Sequence, residues 1–262
     1  MLKVELHSHT ADDPVDNIPH STRDLIDRAA ALGFDALAVT LHNRQLDVRP
    51  LESYAAERGM VLIPGVESTV EGKHILLLNF EPEAEDVRTF GELAALKARS
   101  AGLVIAPHPF FPAPTSLFGA LDRNGRLFDA VERNAMFTRQ IDFNARAERW
   151  ARAHGKPIVG NGDVHRLQQL GTTYTLVDAE RNPDAICSAI AAGRVQVVSA
   201  PLEWTTVVTV MSSLVIGGRR RGWRQTLARR DQQQAGGQRR QQPLRDADFP
   251  RPPRDRVQQR VQ

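Results

Sequence analysis

Nine short runs rich in Val, Ile and Leu, separated by helix-like stretches, constrain the fold of this chain more than any other feature. The runs fall at 2–7, 36–40, 60–64, 73–80, 103–107, 127–132, 157–161, 173–177 and 195–198. Helical stretches lie between them near 22–32, 51–58, 85–101, 142–154 and 183–192. Apolar runs with so little polar interruption are what parallel strands covered on both faces require. Repeated strand–helix alternation favours right-handed crossovers, and so predicts a parallel sheet or a barrel. The helix signals agree with it. Ser21 and Asp24 have the spacing of a capping box, Gly33 closes "LIDRAAALG", and Pro183 opens the last helix at a first-turn position.

Beyond about residue 212 the alternation stops, and the charge balance changes with it. From Met211 onward there are 13 arginines against 4 aspartates, a local charge of +9, which leaves −6 for residues 1–210 although the whole chain carries +3. We therefore divide the chain into a barrel domain over 1–205 and an Arg/Gln-rich tail over 206–262. The tail cannot bury enough apolar surface to offset its ordering entropy, which predicts disorder. The break in composition is abrupt enough that a shifted reading frame would also produce it. An arginine-rich tail can bind nucleic acid non-specifically, but this one lacks aromatic interleaving or a basic helix face, so a solvated tail is the expectation. One cysteine, Cys187, excludes an internal disulfide framework and a thiolate-rich metal site, and it reads as a buried structural thiol. "MLKVELHSH" reaches charge and histidine too soon for the apolar segment of a secretory signal, and the apolar run 207–217 is too short to span a bilayer, so a cytoplasmic protein without membrane contact is expected.

Most of the eight histidines sit at the C-terminal ends of expected strands, the rim where barrel folds assemble their chemistry. His7 and His9 are two apart, a spacing that turns both imidazoles to one face of a strand. Asp163 and His165 repeat that spacing late in the chain, in "GNGDVH". Between them come His42 after "DALAVT", Glu67 after "VLIPG", His74 opening "HILLLNF" and His108 after "LVIAP". Polar groups gathered this closely need a compensating cation.

This set, "HSH" (7–9), His42, Glu67, His74, His108 and "DVH" (163–165), resembles the PHP family, the polymerase and histidinol phosphatase domain, over roughly residues 1–200. The resemblance implies a distorted (β/α)7 barrel that holds two or three divalent ions at its C-terminal rim and hydrolyses phosphoesters. It implies that His7, His9, Glu67 and Asp163 hold one ion. Glu67 bridges to a second with His74 and His108. His42 and His165 hold a third together with a residue from the 12–20 segment. For that last ligand Asp16 is favoured over Asp13 and His20, because a side chain just before the helix cap usually packs back on the first turn. Mixed imidazole and carboxylate ligands suit Zn, Mn or Fe. Glu67, Asp163 and His165 are the expected catalytic residues, with water activated by the ions as nucleophile. His20, Arg44 and Arg166 are candidate substrate contacts. Asn43 departs from the Asp common after the second-motif histidine, and the acidic loop "ADDPVDNIP" replaces a shorter turn.

The expected substrate is a small-molecule or nucleotide phosphoester. Two other readings exist: an amidohydrolase-like metal-dependent hydrolase, and a PHP-like module that binds without catalysis. The first lacks its bridging lysine, since residues 1–210 hold four lysines and none stands in place of Glu67. The second conflicts with an intact ligand set. Glu132 and Asn134 end a strand at the same rim and read first as structural hydrogen-bonding residues. His154 reads as a helix-capping residue, and Trp150 and Trp204 as packing residues. The segment 109–128, with its Phe and Pro residues, reads as a lid or a rigid connection.

Overall fold

A computed structural model of the chain describes residues 1–212. The strands are β1 (Leu2–Glu5), β2 (Ala36–Val39), β3 (Val61–Val70), β4 (Lys73–Leu78), β5 (Leu103–Ala106), β6 (Ala130–Asn134), β7 (Ile158–Asn161), β8 (Thr173–Val177) and β9 (Val195–Ser199). The helices are α1 (Thr22–Ala31), α2 (Glu52–Ala56), α3 (Phe90–Arg99), α4 (Gly119–Asn124), α5 (Asn144–Ala153) and α6 (Pro183–Ala191). The chain is also helical over 204–212, past the boundary expected at 205, while the rest of the expected tail lies outside the described residues. No helix among the described residues is long and apolar enough to cross a membrane.

The strands form one mixed sheet in the order β7-β6-β5-β4-β3-β2-β1-β8-β9. β1, β2 and β3 pair in parallel, as do β5, β6 and β7, but β4 runs antiparallel to both its neighbours and β8 antiparallel to β1 and β9. The sheet curls nearly into a barrel. One apolar cluster joins Val4, Ala38, Ile63, Leu76, Ile105 and Val159, from six different strands, with Ile186 and Ile190 of α6. Side chains that far apart in strand order meet only if the sheet wraps around them. Two further clusters pack outside, one under α3 and α5 and one under α1 and α2. Cys187 is buried within the α6 cluster, as expected.

The seam is closed by side chains. Thr175 Oγ1 accepts from the Gly160 amide at 2.8 Å and donates to its carbonyl at 2.9 Å, and Arg133 Nε donates to Ser199 Oγ at 3.1 Å. A Cβ on Gly160 would lie 2.9 Å from the Tyr174 carbonyl oxygen and 2.7 Å from Val197 Cγ1. Gly160→Ala should therefore lower stability by about 1–3 kcal/mol, read as a drop in Tm; an unchanged Tm would refute the tight seam.

Several boundaries differ from the sequence reading, each for a local reason. β3 does not end at 64 but runs through Glu67 to Val70, because Glu71 and Gly72, both at positive φ, turn it directly into β4 as a two-residue hairpin. α3 starts at Phe90 because Thr89 and Glu92 form its capping box. The short α4 occupies part of 109–128, where no helix is expected from the sequence. The Ser21–Asp24 capping box is present, and Gly33 has φ 72°.

Candidate metal centre

The rim is assembled by backbone pairing beyond the strand ends. Ser8, between the two histidines, forms a parallel bridge with Val164, between Asp163 and His165. The His9 amide donates to the Val164 carbonyl and the Val164 amide to the His7 carbonyl, both at 3.1 Å. "HSH" and "DVH" thus lie side by side. Ser8 Oγ fixes the other flank by donating to the Ala38 carbonyl at 2.6 Å. His42 bridges Glu67 in the same way, with the Asn43 amide donating to the Glu67 carbonyl at 2.9 Å. Asn43 takes a left-handed φ of 53° and ties its side chain to Thr69 of β3. The reversed direction of β4 explains His74: the start of an antiparallel strand lies at the rim where its neighbours end.

Glu67 stands at the centre. Its Oε2 lies 3.4 Å from His7 Nε2, 3.4 Å from His9 Nε2 and 3.1 Å from His42 Nε2. Its Oε1 lies 2.8 Å from His74 Nδ1 and 3.2 Å from His108 Nε2. Asp163 Oδ1 lies 3.4 Å from His7 Nε2, 3.6 Å from His9 Nε2 and 3.3 Å from His165 Nδ1. Asp16 Oδ2 reaches His165 Nε2 at 3.1 Å and His42 Nδ1 at 3.9 Å. His108 and Asp163 both carry positive φ, 27° and 47°, backbone conformations that L-residues hold only when their surroundings impose them.

Three carboxylates behind this layer set its orientation. Glu132 is fully buried, accepts from the His108 amide at 2.6 Å and from Asn161 Nδ2 at 2.9 Å, and lies 2.9 Å from His7 Nδ1. Asn134 Nδ2 joins it at 3.2 Å and also donates to Asp163 Oδ2 at 3.1 Å. Asp13 Oδ2 holds both His9 Nδ1 (3.0 Å) and His42 Nδ1 (2.9 Å). Glu5 accepts from the Gly162 and His7 amides. Each imidazole held at Nδ1 presents Nε2 forward, the arrangement that orients histidine ligands in metal sites.

The electrostatics follow from burial and proximity. Burial alone would raise Glu67 and Asp163, yet the imidazoles around them hold both well below the usual carboxylate range. Burial would lower His165, but Asp163 and Asp16 bring it up to about 10. His7 and His108 are also raised against burial, by the surrounding carboxylates. Burial pushes Glu5 up to about 8 in spite of its two amide donors. The cluster stores negative charge that only a proton or a cation can balance.

The donor set fits a divalent cation. His7 Nε2 and His9 Nε2 are buried without a hydrogen-bond partner, although carboxylate oxygens stand 3.4–3.6 Å away. That separation is long for a charged hydrogen bond, but it matches the edge of a tetrahedron about 3.4 Å long around an ion with ligands at roughly 2.1 Å. Among the described residues, five trios have ligand atoms all within 4.8 Å of one another, including His7–His9–Glu67, His7–His108–Asp163, His9–Asp163–His165 and His42–Glu67–His74.

Nine residues expected as ligands, His7, His9, Asp16, His42, Glu67, His74, His108, Asp163 and His165, come together at this rim. Asp13 holds His42 Nδ1 and turns its Nε2 towards Glu67, while Asp16 lies nearer His165 (3.1 Å) than His42 (3.9 Å). The three expected substrate contacts are placed elsewhere. His20 is buried, and its Nε2 donates to the His9 carbonyl at 2.9 Å, because the Ala11 amide bonds the His20 carbonyl and folds the loop back. Arg44 is exposed and reaches the Asp12 carbonyl at 3.4 Å, and neither it nor Arg166 lines the cavity over the cluster. His154 stacks on Trp150 at the end of α5 with ring centroids 3.9 Å apart, the structural role expected of both. Trp204, expected to pack, is about half exposed and donates from Nε1 to Gln140. Sequence reasoning missed Glu5 and left Glu132 and Asp13 in minor roles. The available signal was an acid inside runs that should be covered on both faces, "KVELH" and "DAVERN".

Comparison with known proteins relates part of the chain to a family and its fold to solved structures. Residues 142–195 match a family described as PHP-associated. No curated protein matches the chain in sequence. Among solved structures, the fold is similar to PsfC from Pseudomonas syringae, with 19% identity, a TM-score of 0.60, and coverage of 86% of this chain and 98% of that one. It is similar to a two-domain protein of Bacteroides vulgatus containing a predicted PHP-like metal-dependent phosphoesterase: 19% identity, TM-score 0.58, covering 81% of this chain and 69% of that one. An amidohydrolase from Chromobacterium violaceum is also similar, at 14% identity and TM-score 0.51, covering 79% and 96%.

Proposed function

We propose that this chain is a PHP-domain protein that hydrolyses a phosphoester by attack of water at the rim, a reading supported by the PHP-associated match and the shared fold. The observation that carries the reading is Glu67, a buried carboxylate whose two oxygens are shared among five imidazoles. His7, His9, Glu67 and Asp163 would hold one divalent ion. Glu67, His74 and His108 would hold a second, and His42, His165 and Asp16 a third. Zn, Mn or Fe suits these donors. Bound there, such ions supply a water acidic enough to ionise near neutral pH and neutralise charge on the phosphoryl oxygens.

The chain's own residues do the rest. Glu132 and Asp13 fix the ring orientation of His7, His9 and His42, so that no rotamer search accompanies binding. Asn134 steadies Asp163 through Oδ2 and leaves Oδ1 directed at His7 and His9. Glu67, Asp163 and His165 are the residues on which catalysis depends. The substrate class that fits this reading is a small-molecule or nucleotide phosphoester. The similarity to an amidohydrolase keeps a second reaction class in the test.

The test is a panel of phosphomonoesters, phosphodiesters, lactones and amides, run on the full chain after chelation and after return of Mn²⁺ or Zn²⁺. Phosphate release should vanish with the chelator and return with the ions. Asp163→Ala should lower it by at least about 10²-fold. Hydrolysis confined to lactones or amides, or undiminished in Asp163→Ala, would overturn the reading.

A further inference from the structure

The cavity over the ligand cluster, about 320 Å³, has a polar floor and an apolar wall. The wall is made by Phe111, Pro112, Ala113 and Pro114 after β5, with Thr115 beside them, Met136 after β6, and Met211 from the helical stretch 204–212. We propose that this wall selects a small phosphomonoester whose alcohol portion is apolar, an arylmethyl or alkyl phosphate. The proposal rests on the phosphoesterase reading above and names its substrate class.

Three observations support it. First, among the described residues no lysine or arginine lines the cavity. A nucleic-acid strand or a polyphosphate carries further charges that need cationic partners beside the scissile group. Lys73, close by, spends its ammonium on the Pro114 carbonyl at 2.8 Å. Second, the polar side chains of the floor are already engaged with one another, and Asn134 gives its amide to Glu132 and Asp163. Sugar hydroxyls pressed against Phe, Pro and Met would lose water with Thr115 as the one polar residue of the wall to receive them. Third, the wall is fixed in place. The His74 amide donates to the Thr115 carbonyl at 2.9 Å, Ser116 Oγ to the His108 carbonyl at 3.0 Å, and the Phe118 amide to the Pro109 carbonyl at 2.9 Å. The Phe111 ring packs edge-on against Phe143 with centroids 5.5 Å apart. A preformed apolar surface beside an ion-binding floor fits an ester with one charged end and one greasy end. The segment 109–118 is thus a specificity wall tied to β4 and to the ligand His108.

The experiment compares benzyl phosphate with glycerol 1-phosphate on the full chain with Mn²⁺. Their alcohols are close in acidity, so the bond broken is similar and the wall makes the difference. Benzyl phosphate should have the higher kcat/KM by about tenfold or more. Phe111→Ser and, separately, Met136→Ser should shrink that ratio several-fold at unchanged Tm. Calorimetric binding of benzylphosphonate against methylphosphonate reads the same preference without turnover. A ratio at or below one, a ratio that both variants leave unchanged, or faster turnover of a short oligonucleotide would overturn the proposal. If no ester is hydrolysed, the phosphoesterase reading fails. The phosphonate pair then still decides the wall: equal affinities refute it, and tighter benzylphosphonate binding retains it.

Discussion

Glu67→Ala is expected to abolish phosphoester hydrolysis, lowering it by at least about 10³-fold, and to reduce the metal content of the purified chain by one ion or more. The expectation follows from position. Five imidazoles from β1, β2, β4 and β5 and the loops that follow them converge on this one carboxylate, which is buried and is held ionised by them. Its removal leaves clustered imidazoles with no central counter-charge, so ions that need a shared anion lose their anchor and the metal-free fold loses a buried ionic partner. Breaking such a cluster typically costs about 3–5 kcal/mol. Activity and elemental analysis should therefore fall together. Glu67→Gln keeps the shape and removes only the charge, which separates the two contributions: its Tm should lie above that of Glu67→Ala while its metal content stays low. Activity within tenfold of wild type with full metal content in Glu67→Ala would sink the assignment.

Glu132→Ala should act through stability and ion affinity. Glu132 does not line the cavity over the cluster; it satisfies the His108 amide, Asn134 Nδ2 and Asn161 Nδ2 and orients His7 Nδ1. Truncation leaves four polar groups buried around a void, which should cost about 3–5 kcal/mol. Ion affinity should fall about 10- to 100-fold, because His7 is no longer held in one orientation. Excess Mn²⁺ should recover much of the lost rate in Glu132→Ala and none in Glu67→Ala. Equal failure of both variants at saturating Mn²⁺ would show that Glu132 does more than position its neighbours.

Much of this architecture was legible in the sequence because it is written in local pattern. Each expected strand corresponds to an observed one, since runs such as "LVIA" and "HILLL" are short, apolar and bounded by breakers. Eight of the nine rim residues were legible because strand ends and two-residue spacing place them without knowledge of the packing, whereas Asp16, in a loop, followed only from the resemblance to the PHP family. What failed to show was non-local. Glu132 gains its importance from residues 7, 108, 134 and 161, which no window of sequence brings together. His20 lies beside a ligand motif in the chain, yet a single backbone bond from Ala11 turns its side chain onto the His9 carbonyl. Arg44 and Arg166 were attractive because phosphate is anionic, but charge complementarity says nothing about which way a loop residue points. The end of β3 was misplaced because the two-residue turn at Glu71 and Gly72 extends a strand that its apolar run alone would stop at 64.

The pairing of "HSH" with "DVH" also sets an order of events. The amide of Gly162 bonds Glu5 across a separation of 157 residues, and Ser8 and Val164 meet over nearly the same span. Contacts of that range form late, since the loop they close must first be ordered by everything between. During synthesis the first two histidines leave the ribosome long before the aspartate that completes their cradle. An ion captured early by the nascent chain would meet an open, half-built set of donors, and the full rim closes only once the seventh strand has been laid down.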